Sequence, residues 1–130
     1  MNFDNEPDKK KFPPLPAGWY SATIVEAADV ESKSSGKPMT SITFECQVQK
    51  RDGGTWNKKV FGRYSWHVSK HIADLKAVCK AAGVEPKGKV EPSVLQGRQL
   101  EVYLNIEIDP SGKYDDKNIV TDARQLDIPF

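Results

Sequence analysis

The sequence predicts a mostly β domain: five strands, with a single helix between the third and the fourth. Three observations carry this. Two long segments, from Thr40 to Val48 and from Leu100 to Ile108, alternate apolar and polar residues as strands with one buried face do. One stretch, from Val68 to Ala82, repeats its apolar residues at helical spacing instead. The turn signals Asp52-Gly53-Gly54 and Asp109-Pro110-Ser111-Gly112 fall where hairpins would join neighbouring strands. At 130 residues the chain fits one domain.

Residues 1–17 are expected to form a flexible N-terminal arm, because Phe12-Pro13-Pro14-Leu15-Pro16 cannot enter a helix. Gly18 then opens a first strand in which Tyr20, Ala22 and Ile24 share one face and Trp19, Thr23 and Val25 the other. Ser32 to Pro38 is a basic loop. In the second strand Thr40, Ile42, Phe44, Cys46 and Val48 point inward, while Ser41, Thr43, Glu45 and Gln47 point outward. Trp56 to Trp66 is a third strand that mixes rings with cations. The helix presents Val68, Ile72, Leu75, Val78, Cys79 and Ala82 on one stripe, and Gly83 is placed to cap it. After a linker containing Pro86, Gly88 and Pro92, the turn Ser93 to Gly97 leads into the fourth strand. A weaker fifth strand falls near 117–124.

Three strands, a helix and two strands is the order of an OB-fold, a small five-stranded Greek-key barrel. An open antiparallel sheet packed on one helix has the same order. The expected organisation is an arm (1–17), an OB-fold-like domain (18–124) and a C-terminal tip (125–130). Exposed edges on the second or fourth strand leave a homodimer open.

Composition narrows the functional classes. Hydrophobic residues make up 38% and charged residues 28%, enough for a modest core under a very polar surface. No apolar run is long enough to span a bilayer, and the first fifteen residues lack the apolar stretch of a signal peptide, so a cytoplasmic protein with no membrane partner is expected. Two cysteines, Cys46 and Cys79, suit reduced thiols rather than a disulfide framework. The net charge of +1 conceals an uneven distribution. Residues 33–89 hold twelve Lys and Arg against four acids, whereas 1–32 and 90–130 are both net acidic. A basic middle between acidic ends suits a polyanion binder, and equally a solvated surface with unevenly spread charge.

The segment 50–70 is the most informative. It carries Lys50, Arg51, Lys58, Lys59, Arg63 and Lys70 against the one acid Asp52, interleaved with Trp56, Phe61, Tyr64 and Trp66. Cations that track phosphates, with rings on which bases stack, are what a sequence-nonspecific single-strand binder needs. On a strand, Trp56, Lys58, Tyr64 and Trp66 fall on one face and Lys59, Phe61 and Arg63 on the other. Phe61 and Trp66 are therefore also candidates for the core, and any of these rings could simply fill a small barrel. Trp56, just after the glycine turn, is the ring expected to be exposed. Lys33 and Lys37 in the first loop, and Lys113, Tyr114 and Lys117 around the last hairpin, would border the same face of an OB-fold. The candidate nucleic-acid contacts are thus Trp56, Lys58, Lys59, Arg63, Tyr64, Lys33, Lys37, Lys50, Arg51, Lys113 and Tyr114.

Two resemblances add to this. Leu15-Pro16-Ala17-Gly18-Trp19-Tyr20-Ser21-Ala22, Glu31 to Met39, Ile42-Thr43-Phe44-Glu45-Cys46, Ala81-Ala82-Gly83-Val84 and Leu95 to Leu100 together resemble a bacteriophage-encoded family, over about residues 12–124. Its members are small proteins encoded beside phage recombination or replication genes, long catalogued without a function and now regarded as OB-fold-like single-strand binders. The resemblance implies single-stranded DNA as ligand, a role in phage DNA replication, recombination or repair, and a place in the cytoplasm of the bacterial host. The ending Asp127-Ile128-Pro129-Phe130 is similar to the tip of bacterial single-stranded-DNA-binding proteins. That likeness implies docking of the final Phe into an apolar pocket on host or phage replication and repair proteins. The sequence departs from the bacterial pattern in lacking a run of aspartates, with only Asp122 and Asp127 nearby, and a Gly/Pro-rich linker. Alternatively Ile-Pro-Phe is a strand end packed on its own domain.

Other chemistry finds little support. His67 and His71 are four apart, a spacing that can serve a metal, but further ligands are not evident. No phosphate-binding glycine loop, nucleophile elbow or paired-carboxylate arrangement occurs. A binding protein with no cofactor, rather than an enzyme, is the expectation. Two rivals stay open: an interaction module that mimics the host tip without binding DNA, and a single-strand annealing protein.

Overall fold

The protein is described by a computed structural model, which covers residues 14–112 and 116–126. It is mostly β, with five strands, β1 (Gly18–Glu31), β2 (Pro38–Gln49), β3 (Thr55–Ser65), β4 (Gln99–Glu107) and β5 (Lys117–Arg124). One α-helix, α1 (Ser69–Ala81), and a 3-10 turn at Pro92–Leu95 lie between β3 and β4. The strands form one antiparallel sheet in the order β3-β2-β1-β4-β5.

β1 organises the sheet. Its first part, Gly18 to Thr23, pairs with β4, and its later part, Ala22 to Glu31, pairs with β2. Between Ile24 and Glu26 the register slips by one residue. This bulge shifts the alternation, so that after Ala22 and Ile24 the next buried residue is Ala27 rather than Glu26. The strand bends there, and the sheet curls until its two edges, β3 and β5, face each other. No β3–β5 ladder forms among the described residues, so the barrel is left open along this seam. The edges are accordingly β3 and β5. The expectation of free edges on the second or fourth strand is corrected, since both are paired on both sides.

The inner face holds the core: Ile24, Ile42, Phe44, Cys46, Leu100, Val102 and Leu104 are fully enclosed, capped by Leu75, Val78 and Cys79 of α1. Each such large aliphatic side chain contributes about 1.5–3 kcal/mol by leaving water. β2 shows the alternation its sequence predicts except at Thr43, which is expected to face outward but is 7% exposed. The inner stripe of β4 ends earlier, with Ile106 and Ile108 exposed where the strand runs out beyond the core. α1 ends in a Schellman arrangement: Val84 N–H donates to the Cys79 carbonyl (2.8 Å), Gly83 N–H donates to the Lys80 carbonyl (3.1 Å), and Gly83 sits at φ +81°. Ahead of the expected domain start, Leu15 is 6% exposed and belongs to the core.

No helix among the described residues is long and apolar enough to cross a membrane.

Candidate nucleic-acid interface

The tight turn at Lys50–Gly54 fixes the register of β2 against β3. Lys50 N–H donates to the Gly54 carbonyl (2.7 Å), Gly54 N–H donates to Asp52 Oδ1 (3.0 Å), and Gly53 takes a φ of +91° that favours glycine. From that turn Gln49 meets Thr55, and Phe44 meets Val60 farther along. Inner residues of β2 thus oppose Lys58, Val60, Gly62 and Tyr64. Outer residues oppose Asn57, Lys59, Phe61 and Arg63.

This phase sorts the aromatic residues. Tyr64 is only 6% exposed, packed in the core near Asp74 and Cys79, and burial first of all pushes its phenol well above the ordinary range. It offers no ring to a base, which corrects the expectation for this residue. Gly62 is part of the same packing: a methyl group there would come within 2.8 Å of the Tyr64 hydroxyl, so the ring lies where only glycine leaves room. Phe61, a core candidate by sequence, is 61% exposed and stands on the outer face opposite Thr43. Trp56 is 41% exposed as expected, but it lies on the Val60 side of the strand near the hairpin, away from the outer face of Phe61. Trp66, also a core candidate, is exposed. Its indole N–H donates to Thr40 Oγ1 (2.9 Å), and Thr40 donates on to Asp29 Oδ1 (2.7 Å). Its ring borders a separate apolar hollow of about 300 Å³ between α1 and the 86–92 segment.

The cations of β3 converge on the open seam. A cleft of about 610 Å³ separates the edges, lined by Lys58, Lys59, Phe61 and Arg63 from β3, by Lys117, Asn118 and Ile119 from β5, and by Asp116 just before it. A smaller hollow of about 310 Å³ continues it past Arg63 toward Lys70, His71 and Asp74 at the start of α1. None of the ion pairs among the described residues involves Lys58, Lys59 or Arg63. Glu45, which stands opposite Lys59, instead accepts a hydrogen bond from Asn57 Nδ2 (2.8 Å). Lys117 pairs with Glu107 at 3.3 Å, and Asp116 accepts the Asp109 amide N–H (3.1 Å). Like charges held close repel one another, so a polyanion beside Lys58, Lys59 and Arg63 would be favoured by both attraction and relief, against the Asp116 carboxylate on the facing edge. Phe61 beside them adds a flat apolar surface.

The remaining predicted contacts separate. Lys33 and Lys37 are exposed in the β1–β2 loop, next to the Arg63 end of β3, since Ser41 pairs with Arg63. Lys50 and Arg51 lie in the hairpin at the other end of β2, about 35 Å of strand away. Lys113 and Tyr114, and the tip Asp127-Ile128-Pro129-Phe130, lie outside the described residues. His71 is engaged locally: its Nδ1 accepts the Ser65 amide N–H at 3.1 Å, tying the end of β3 to the first turn of α1. No group of three or more His, Cys, Asp or Glu is placed to hold a metal among the described residues.

Sequence reasoning did not place a second ring–cation group. On the outer face of β1, β4 and β5, Trp19 and Tyr103 meet edge to face at 5.4 Å, and the Arg124 guanidinium lies 4.0 Å over the Trp19 ring. Arg124 Nε also bonds Glu101 Oε1 at 3.2 Å. The signal lay in three lone residues on three strands, which only the sheet order brings together. Phe61, by contrast, was recoverable: the hairpin fixes the register, and the strong inner stripe of β2 then assigns the phase of β3.

The chain belongs to the family described as "Protein of unknown function (DUF669)", which matches residues 1–122. No curated protein matches it.

Proposed function

We propose that this protein binds single-stranded DNA without sequence preference, as an OB-fold-like phage protein, and that the β3–β5 seam is where the strand lies. The observation that carries the reading is the meeting of Lys58, Lys59 and Arg63, all outside the ion pairs of the described residues, with the exposed ring of Phe61 on one open edge. A ring of this kind is useful only to a base that is free to stack, which a duplex does not offer. Stacking of one base on an aromatic side chain is worth about 1–3 kcal/mol, and phosphate neutralisation adds a term that falls with salt. The resemblance of the sequence to phage-encoded single-strand binders favours the same ligand.

The ending Asp127 to Phe130 fits a docking tip for a replication or repair protein: an apolar anchor behind a stiff proline, with an acid beside it. β5 ends at Arg124, and Leu126 borders the outer face of the sheet beside Thr23 and Gln99. The activity is binding and recruitment rather than catalysis.

Fluorescence anisotropy with labelled oligo-dT and with a duplex of equal length, titrated over salt, tests the reading. Tight, salt-sensitive binding of oligo-dT with weak duplex binding is expected. No binding of either would leave the tip as the active part and the protein as a pure interaction module. Faster pairing of complementary strands in its presence would add an annealing activity.

A further inference from the structure

We propose that Trp66 is a second stacking ring of the single-strand site, so that a bound strand runs on from Phe61 past Arg63 to the end of β3 and the loop that carries Lys37. The inference rests on the reading of the β3–β5 cleft as a single-strand site.

The ring is fixed although it is open to solvent. Trp66 is 47% exposed. Its amide N–H donates to the Pro38 carbonyl (3.2 Å), and the amide before it, on Ser65, donates to His71 Nδ1 (3.1 Å), so β2 and α1 both hold the backbone there. The indole N–H donates to Thr40 Oγ1 (2.9 Å), and that buried hydroxyl donates on to Asp29 Oδ1 (2.7 Å). The polar edge of the indole is thus satisfied within the protein, and its apolar faces are what remain for a ligand. The ring borders a hollow of about 300 Å³ walled by Ile72, Leu75, Val90, Pro92 and Leu95. A ring that served only to seal the core would lie against those side chains and fill that space.

A nucleobase suits this place. It is apolar on its flat faces and polar at its edge, and the hollow offers apolar walls beside a fixed ring, with one cation, Lys76, among its lining residues. A ring already held loses little freedom when a base stacks on it, so more of the stacking energy appears as affinity. The position continues the cleft. Trp66 follows Arg63 by three residues, which places their backbones at most about 11 Å apart. Pro38, which accepts the Trp66 amide, directly follows Lys37. Lys37 is exposed and stands outside the ion pairs of the described residues, as does Lys33 in the same loop. Two carboxylates, Asp29 and Glu31, stand on β1 opposite Thr40 and Pro38, and Asp29 is engaged by Thr40. They repel phosphate from the β1 side and leave the sugar–phosphate chain to Arg63 and Lys37.

The test measures binding of labelled oligo-dT by the full chain over a range of salt, with the folding of each variant followed by circular dichroism. Trp66→Ala should lower affinity about fivefold or more and leave the salt slope unchanged, since a stack and not a charge is lost. Lys37→Ala should lower the slope of log K against log salt by about 0.7, the share of one phosphate. Thr40→Val keeps the ring but frees it. It should weaken binding on its own and add nothing to Trp66→Ala, a non-additivity that a structural role elsewhere would not give. Ultraviolet cross-linking of the unaltered chain to oligo-dT, mapped by mass spectrometry of its peptides, should attach thymine at Trp66. The Lys59→Ala/Arg63→Ala variant runs beside them. If it loses affinity while folded Trp66→Ala keeps its own, the inference is overturned, the cleft reading stands, and the hollow is left to an apolar side chain of a protein partner. Should Trp66→Ala not fold, the cross-link decides: attachment at Trp66 supports the inference, and attachment only at other residues overturns it. If the unaltered chain does not bind oligo-dT, the cleft reading itself fails and the inference goes with it.

Discussion

Two groups of rings and cations stand on the outer surface of one sheet, and they are in opposite states. Around Trp19 every partner is already taken: Arg124 covers the ring, Glu101 holds Arg124, and Tyr103 meets the ring edge-on. Around Phe61 nothing is closed. Its ring is exposed, and the neighbouring Lys59 and Arg63 stay outside the ion pairs of the described residues. The same residue types serve as a cross-strand brace in one place and as a candidate ligand surface in the other. Position in the sheet makes the difference. Tyr103 sits on β4 between β1 and β5, so Trp19 from one neighbouring strand and Arg124 from the other come together over it. Phe61 sits on an edge strand with a seam beside it.

The sharpest way to break this comparison is to strip each group in turn. Phe61→Ala with Lys59→Ala should lower oligo-dT affinity at least tenfold, since one base stack and one phosphate interaction disappear, with little change in urea unfolding. Unchanged affinity in a folded double variant would remove Phe61 and Lys59 from the interface. Gly62→Ala should come next in size. Its methyl group would push the buried Tyr64 ring out of place, and overpacking of that kind costs about 1–3 kcal/mol, seen as a lower urea midpoint. If stability holds, the ring has more freedom than the packing implies. Arg124→Ala removes a partly exposed cation–π interaction and an ion pair, so a drop in stability of about 0.5–1.5 kcal/mol is expected while DNA affinity stays within twofold. A large drop in affinity there would mean that the Trp19 group is a ligand surface after all.

The smallest effect concerns Cys46, which lies under the cleft opposite Lys58. Burial pushes its thiol up from 9.0 to about 11, with the Lys58 charge pulling the other way. A buried thiol that resists ionisation stabilises the fold while the unfolded thiol is also neutral, below pH 9. That contribution is lost as pH rises from 9 toward 11, because only the unfolded chain can ionise there. Urea unfolding should show falling stability across that window, and less fall in Cys46→Ala. In the native protein at pH 8 the thiol should resist alkylation.

Much of the fold was legible in the sequence because its strands have one face to bury. The alternation of β2 survives except at Thr43, an outward position that is nevertheless buried, and Gly83 ends α1 where the periodicity stops. β1 was less legible. Nothing in Ile24-Val25-Glu26 announces a bulge, whose cause lies in the two different partners β1 must serve. On β3 the composition singled out a segment rich in rings and cations but could not say which of its rings are core and which are surface. Trp56, Tyr64 and Phe61 are chemically similar in sequence, and one shift of phase decides which is core and which is surface.

By itself, then, the sequence determined which segments become strands, where the helix lies and which stretch carries the positive charge. These follow from local periodicity, from turn residues and from composition, and each acts over a few residues. Folding decided which cations share a cleft, which rings are spoken for, and where Leu15 is tied. Those depend on interactions between residues as far apart as Leu15 and Asn118, whose buried polar groups would be left unsatisfied without each other, and no local pattern encodes that.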